Sequence, residues 1–102
     1  MKIIKVEYQV KSDYVETNKQ NIQKVMDALK AKDIKSMNYS SYYLGEGKFM
    51  HFNATQNENF AALNELQEFK DFQAALKASQ PVSPPKASDL ELVGSNNETI
   101  PC

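Results

Sequence analysis

One histidine stands in this chain, His51, and two positions on comes Asn53. An imidazole titrates near neutrality and can take or give a proton, while a carboxamide both donates and accepts hydrogen bonds. Lys5 and Glu7 lie in an alternating segment near the start, Glu91 in another near the end, and Tyr42 and Phe49 add aromatic surface. His51, Asn53 and Glu7 are therefore the candidate catalytic residues, and Tyr42, Phe49, Lys5 and Glu91 the candidate ligand-binding ones, provided the fold gathers them on one face. The same histidine can instead be a hydrogen-bonded structural group, and Tyr39, Tyr42 and Tyr43 a packing cluster. One His and one Cys, Cys102, lack the ligand spacing of a closed metal site, so no metal is expected. Gly-rich phosphate loops and Ser or Cys nucleophile motifs are absent from the sequence, and no cofactor is expected.

The elements that must position these residues follow from periodicity. Ile4, Val6, Tyr8 and Val10 alternate with Lys5, Glu7 and Gln9, the period of a half-buried strand. Asp13-Tyr14-Val15-Glu16 has the form of a capping box, and Val15, Ile22, Val25, Met26 and Leu29 then form a helical stripe. Met37 to Leu44 and Lys48 to Thr55 flank Gly45-Glu46-Gly47 and predict a β-hairpin, because glycine adopts positive φ without steric cost. Thr55-Gln56-Asn57-Glu58 is a second capping box. In the helix it opens, Phe60, Leu63, Leu66, Phe69 and Phe72 recur every three residues. An α-helix advances 3.6 residues per turn, so one straight helix cannot bury them all, and a break is expected between about Asn64 and Glu68. Ser79 to Ser88 carries Pro81, Pro84 and Pro85 and is expected to be a stiff connection, with a last strand over Asp89 to Val93.

Strand, helix, strand, strand, helix, strand specifies a split βαβ repeat: an α+β, ferredoxin-like, four-stranded antiparallel sheet of order 4132 with two helices on one face. With Glu46-Gly47 as the turn, Leu44 lies opposite Phe49, Tyr42 opposite His51 and Ser40 opposite Asn53. The expected helix-side set is then Ile4, Val6, Tyr8, Val10, Met37, Tyr39, Tyr43, Met50, Phe52, Ala54, Leu90 and Leu92. The expected uncovered face is mixed in character and carries Lys5, Glu7, Tyr42, Phe49, His51, Asn53 and Glu91 together.

Composition bounds the rest. At 102 residues the chain fits one domain, expected over residues 1–95, with 96–102 a polar tail. A net charge of −1 gives no basic footprint for nucleic acid, and no run approaches the ~20 apolar residues of a membrane span. Met1 to Glu7 carries charges within its apolar stretch, unlike a secretory signal, so a cytoplasmic setting is expected and the Asn-x-Ser/Thr triplets at Asn38, Asn53 and Asn97 are coincidental.

The strand Ile3 to Val10, the hairpin around Gly45-Glu46-Gly47, the broken helix with Glu68-Phe69-Lys70-Asp71-Phe72 and the run Leu90-Glu91-Leu92-Val93 together resemble the dimeric α/β barrels of the ferredoxin-like superfamily. That group holds antibiotic-biosynthesis-monooxygenase-type and stress-responsive barrel proteins. The resemblance implies a homodimer paired through its sheet faces around a cavity that takes a small, partly aromatic molecule. It also implies an alternative, a cofactor-independent monooxygenase on quinol or phenol substrates, with His51 or a carboxylate taking the phenolic proton and Asn53 holding substrate or oxygen. A pure interaction protein is the third reading.

Overall fold

The computed structural model describes residues 2–33, 37–55 and 62–96. In chain order the elements are β1 (Lys2–Gln9), a 3-10 turn (Ser12–Tyr14), α1 (Val15–Lys32), β2 (Met37–Gly45), β3 (Lys48–Thr55), α2 (Ala62–Glu65), α3 (Gln67–Ala78) and β4 (Ser83–Leu90). The strands form one antiparallel sheet of order β2-β3-β1-β4, the expected ferredoxin-like arrangement. The helices cover one face, and Tyr8, Val10, Val25, Phe49, Leu63, Leu66, Phe69, Phe72 and Leu76 form the core between them and the sheet. Each such aromatic or aliphatic side chain contributes roughly 1.5–3 kcal/mol on burial. No helix among the described residues is long and apolar enough to cross a membrane.

The three-residue recurrence in the second helical segment breaks the helix where expected. α2 ends at Glu65, Leu66 adopts an extended backbone (φ −75°, ψ 125°), and α3 starts at Gln67. The break lets Leu63 and Leu66 as well as Phe69, Phe72 and Leu76 reach the core. The capping box at Asp13 does not form: a 3-10 turn precedes α1, whose N-cap is Tyr14 with no side-chain cap hydrogen bond. The second capping box continues into residues 56–58, outside the described residues.

Two bulges set which side chains of β2 and β4 lie opposite those of β3 and β1. Glu46 (φ 56°) and Gly47 (φ 79°) make the expected two-residue turn. Pairing then runs Gly45↔Lys48 but Tyr43↔Phe49, so Leu44 is an extra residue on β2. Because strand side chains alternate with period two, one inserted residue inverts the partner strand relative to an unbulged register. Tyr39 lies opposite Asn53, Ser41 opposite His51 and Tyr43 opposite Phe49. Pairing with β1 agrees, placing Ile4 opposite Asn53, Val6 opposite His51 and Tyr8 opposite Phe49.

The second bulge corrects the reading of residues 79–88. Ser83 to Leu90 is the edge strand β4, not a connection, and it stops before the expected end at Val93. Its pairing shifts from Glu7↔Lys86 to Gln9↔Ser83, so Pro84 and Pro85 together oppose the single residue Tyr8. An edge strand at a bulge is where prolines fit a sheet, since their missing N–H groups interrupt no regular ladder. The uncovered face is mixed but differs from the expected set: Ile3, Met50, Phe52 and Leu90 form an apolar patch on it with Tyr42, Leu44 and Leu92 around them, beside Lys5, Glu7, Lys86 and Ser88.

Candidate functional site

The sheet separates the residues that the sequence grouped. His51 and Asn53 face the helices, whereas Lys5, Glu7 and Tyr42 face the other way and Glu91 lies beyond the end of β4 beside the uncovered face. Lys5 and Glu7 pair with each other at 2.7 Å. Tyr42 sets its ring edge against Phe52, and Phe49 is a core residue whose ring stacks on Tyr8 and tilts against Tyr43. Pairing of β3 with β1 is the cause, since Val6 lies opposite His51 and Ile4 opposite Asn53, which leaves Glu7 on the other face; the Leu44 bulge then brings Ser41 and Tyr39 opposite them in place of Tyr42 and Ser40.

On the helix side His51 is only 5% exposed and fully engaged. The Asn18 carboxamide on α1 donates to the Tyr8 hydroxyl oxygen at 2.8 Å. Tyr8 in turn lies 2.7 Å from Nε2 of His51. With its oxygen already accepting from Asn18, Tyr8 donates its proton to Nε2, so the imidazole hydrogen is on Nδ1. From Nδ1 the hydrogen is offered to Ser41 Oγ at 2.6 Å and the Tyr39 hydroxyl at 3.0 Å. The ring stacks on Tyr8 and tilts against Phe72.

Burial sets the charge state of this chain of groups. Desolvation pulls the His51 imidazolium down to about 4, so the ring is neutral at neutral pH. The same desolvation pushes the Tyr8 and Tyr39 phenols well above their ordinary value, so both keep their protons. The site offers neutral donors and acceptors and no buried charge.

Beside it runs a groove between α3 and the sheet. Its larger part has a volume of 530 Å³, with walls formed by Val6, Phe69, Phe72, Leu76 and the Pro84-Pro85 bulge, and with Tyr39, His51, Gln73 and Lys77 among its polar groups. A smaller part of 210 Å³ shares Val6, Tyr39, His51, Phe69, Gln73 and Ala87 and reaches Asn53 and Asn64. The volume is in the range of small-molecule sites, about 300–1,000 Å³, as is the pattern of apolar walls with a few convergent polar groups. Ala87, the small β4 residue opposite Val6, lies along the sheet side of both parts. Among the described residues no group of His, Cys, Asp and Glu could hold a metal ion.

Sequence reasoning missed Asn18, Ser41, Gln73 and Lys77 as contributors. A signal existed for Asn18, since it is the polar residue in the stripe Val15, Asn18, Ile22, Val25, and it is fully buried. Ser41 shares a face with Tyr39 and Tyr43 in any register, but its partner depended on the bulge.

No family profile matches the chain, and no curated protein does. Solved structures match over nearly the whole length. An antibiotic biosynthesis monooxygenase crystal structure superposes with a TM-score of 0.74 at 9% identity, covering 92% of this chain and 100% of its own. The fold is that of the antibiotic biosynthesis monooxygenase-type proteins. A Deinococcus radiodurans protein provisionally described as such a monooxygenase gives 0.72 at 16% identity over 97% of this chain and 99% of its own. A Nitrosomonas europaea protein with the same provisional description gives 0.72 at 15% identity over 92% and 100%. At these identities the antibiotic biosynthesis monooxygenase likeness is one of strand order and helix placement, and it carries no activity across.

Proposed function

We propose that this chain is a small homodimeric α/β protein that binds a small, partly aromatic molecule, and that the binding site is the groove between α3 and the sheet of each subunit. The observation that carries the reading is the groove itself, 530 Å³ with aromatic and aliphatic walls, into which a neutral His51 and a protonated Tyr39 face. Aromatic walls suit a flat ring, and neutral hydrogen-bonding groups suit its oxygen substituents. Dimerisation rests on the uncovered sheet face, where Ile3, Tyr42, Leu44, Met50, Phe52, Leu90 and Leu92 surround a hollow of 620 Å³. A contiguous apolar surface on a sheet marks an interaction site, and a second copy of the same face is a self-complementary cover for it. A cytoplasmic setting accords with a single cysteine in the chain.

The alternative reading is a cofactor-independent monooxygenase acting on quinols or phenols, supported by the descriptions of the structural neighbours. The geometry favours binding over this chemistry. Both nitrogens of His51 are already hydrogen-bonded, and an imidazole that protonates only near 4 is a weak base at neutral pH. Naphthols and quinols added to the purified protein decide between the readings. Binding predicts a rise in melting temperature with ligand concentration and no oxygen uptake. Oxygen uptake that falls on His51→Ala would establish the alternative, and no thermal response to any aromatic probe would remove the binding reading.

A further inference from the structure

We infer that the groove selects a hydroxyaryl anion: a flat ring system with a neutral hydroxyl at its inner end and a carboxylate or comparable anionic group at its mouth. This rests on the groove being the ligand site, and it comes from the polar groups at its two ends. Asn53 lines the inner part, and its Oδ1 is buried with no hydrogen-bond partner among the described residues. A buried carbonyl oxygen of this kind calls for a donor, and a ligand hydroxyl supplies one. The alternative of a phenolate there is disfavoured by the desolvation that keeps the neighbouring Tyr39 and Tyr8 phenols protonated.

At the other end stands Lys77, the one charged residue among those lining either part of the groove. No carboxylate joins it in the lining, and it makes no salt bridge among the described residues. Nor is its ammonium needed to close the end of α3. The backbone N–H of Ser79 donates to the carbonyls of Ala75 and Leu76, Gln80 N–H donates to that of Lys77, and Ser79 Oγ donates to Leu76 at 2.6 Å. A cation at the mouth of an otherwise uncharged apolar groove favours an anionic substituent on whatever occupies it.

Three fluorescent probes separate the two ends: 6-hydroxy-2-naphthoate, 2-naphthol without the carboxylate, and 2-naphthoate without the hydroxyl. On the unmodified protein the hydroxynaphthoate is expected to bind about fivefold or more tightly than either other probe, the size of one partly exposed ion pair or one neutral hydrogen bond. Lys77→Gln is expected to abolish the advantage over 2-naphthol while leaving 2-naphthol affinity unchanged, and Asn53→Ala to abolish the advantage over 2-naphthoate. High salt should shrink the carboxylate advantage alone. A lysine serving only the helix end would alter stability and not probe selectivity. Equal binding of 2-naphthol and hydroxynaphthoate to the unmodified protein overturns the anion inference while the ligand-binding reading stands; binding of none of the three overturns both.

Discussion

The hydroxyl of Tyr8 lies 2.7 Å from Nε2 of His51, and the two rings stack with 13° between their planes. β1 and β3 are thus joined on their helix-facing side by a polar bond as well as by packing, inside a core that is otherwise apolar. Asn18 ties α1 to the same pair. Removing one member leaves the others buried and unpaired.

Tyr8→Phe keeps the ring that stacks on Phe49 and deletes only the hydroxyl. It strands the Asn18 amide and His51 Nε2, and is expected to lower stability by about 1–3 kcal/mol without altering the fold. Urea unfolding followed by circular dichroism measures this. A loss under a few tenths of a kcal/mol would mean that the polar chain is not formed.

The depressed His51 pKa makes stability pH-dependent. The unfolded chain protonates His51 near its ordinary 6.5 and the folded chain only near 4, so between these values the unfolded state binds more protons. Stability is therefore complete above about 6.5 and falls as pH drops toward 4, by about 3 kcal/mol over the window from this group. Unfolding free energies at pH 7 and pH 5 in the parent and in His51→Gln test the sign, because the substitution should flatten the slope.

Glu46 and Gly47 both adopt positive φ in the hairpin turn, and they respond oppositely to substitution. Glu46→Asn places a residue that tolerates this conformation and should stabilise by roughly 0.5–1 kcal/mol. Gly47→Ala should destabilise by more than about 2 kcal/mol, because a Cβ there would sit 2.3 Å from the Val10 carbonyl oxygen. Paired thermal melts of the two variants give the comparison.

A homodimer through the uncovered face predicts that Phe52→Lys and Leu44→Lys produce a monomer of unchanged secondary structure. Both substitutions lie outside the helix-side core. Sedimentation velocity reads the assembly state, and a parent protein that sediments as a monomer at micromolar concentration would count against the dimer.

Element order, strand pairing order, the Glu46-Gly47 turn and the helix break at Leu66 were all legible in the residues, because each depends on local periodicity or local backbone preference. The two faces of the sheet were not. Local pattern offers β3 two faces, Phe49 with His51 and Asn53 or Met50 with Phe52 and Ala54, and only pairing with neighbours chooses between them. Pairing with β1, which sets Tyr8 opposite Phe49 and Val6 opposite His51, made that choice, the extra residue at Leu44 decided which β2 side chains join them, and the two prolines opposite Tyr8 sit in an edge strand where stiffness alone suggested a connection. Since side chains alternate along a strand, a shift of one residue in the pairing of β3 with β1 would move His51 from one side of the sheet to the other, and with it the place where this protein can hold a ligand.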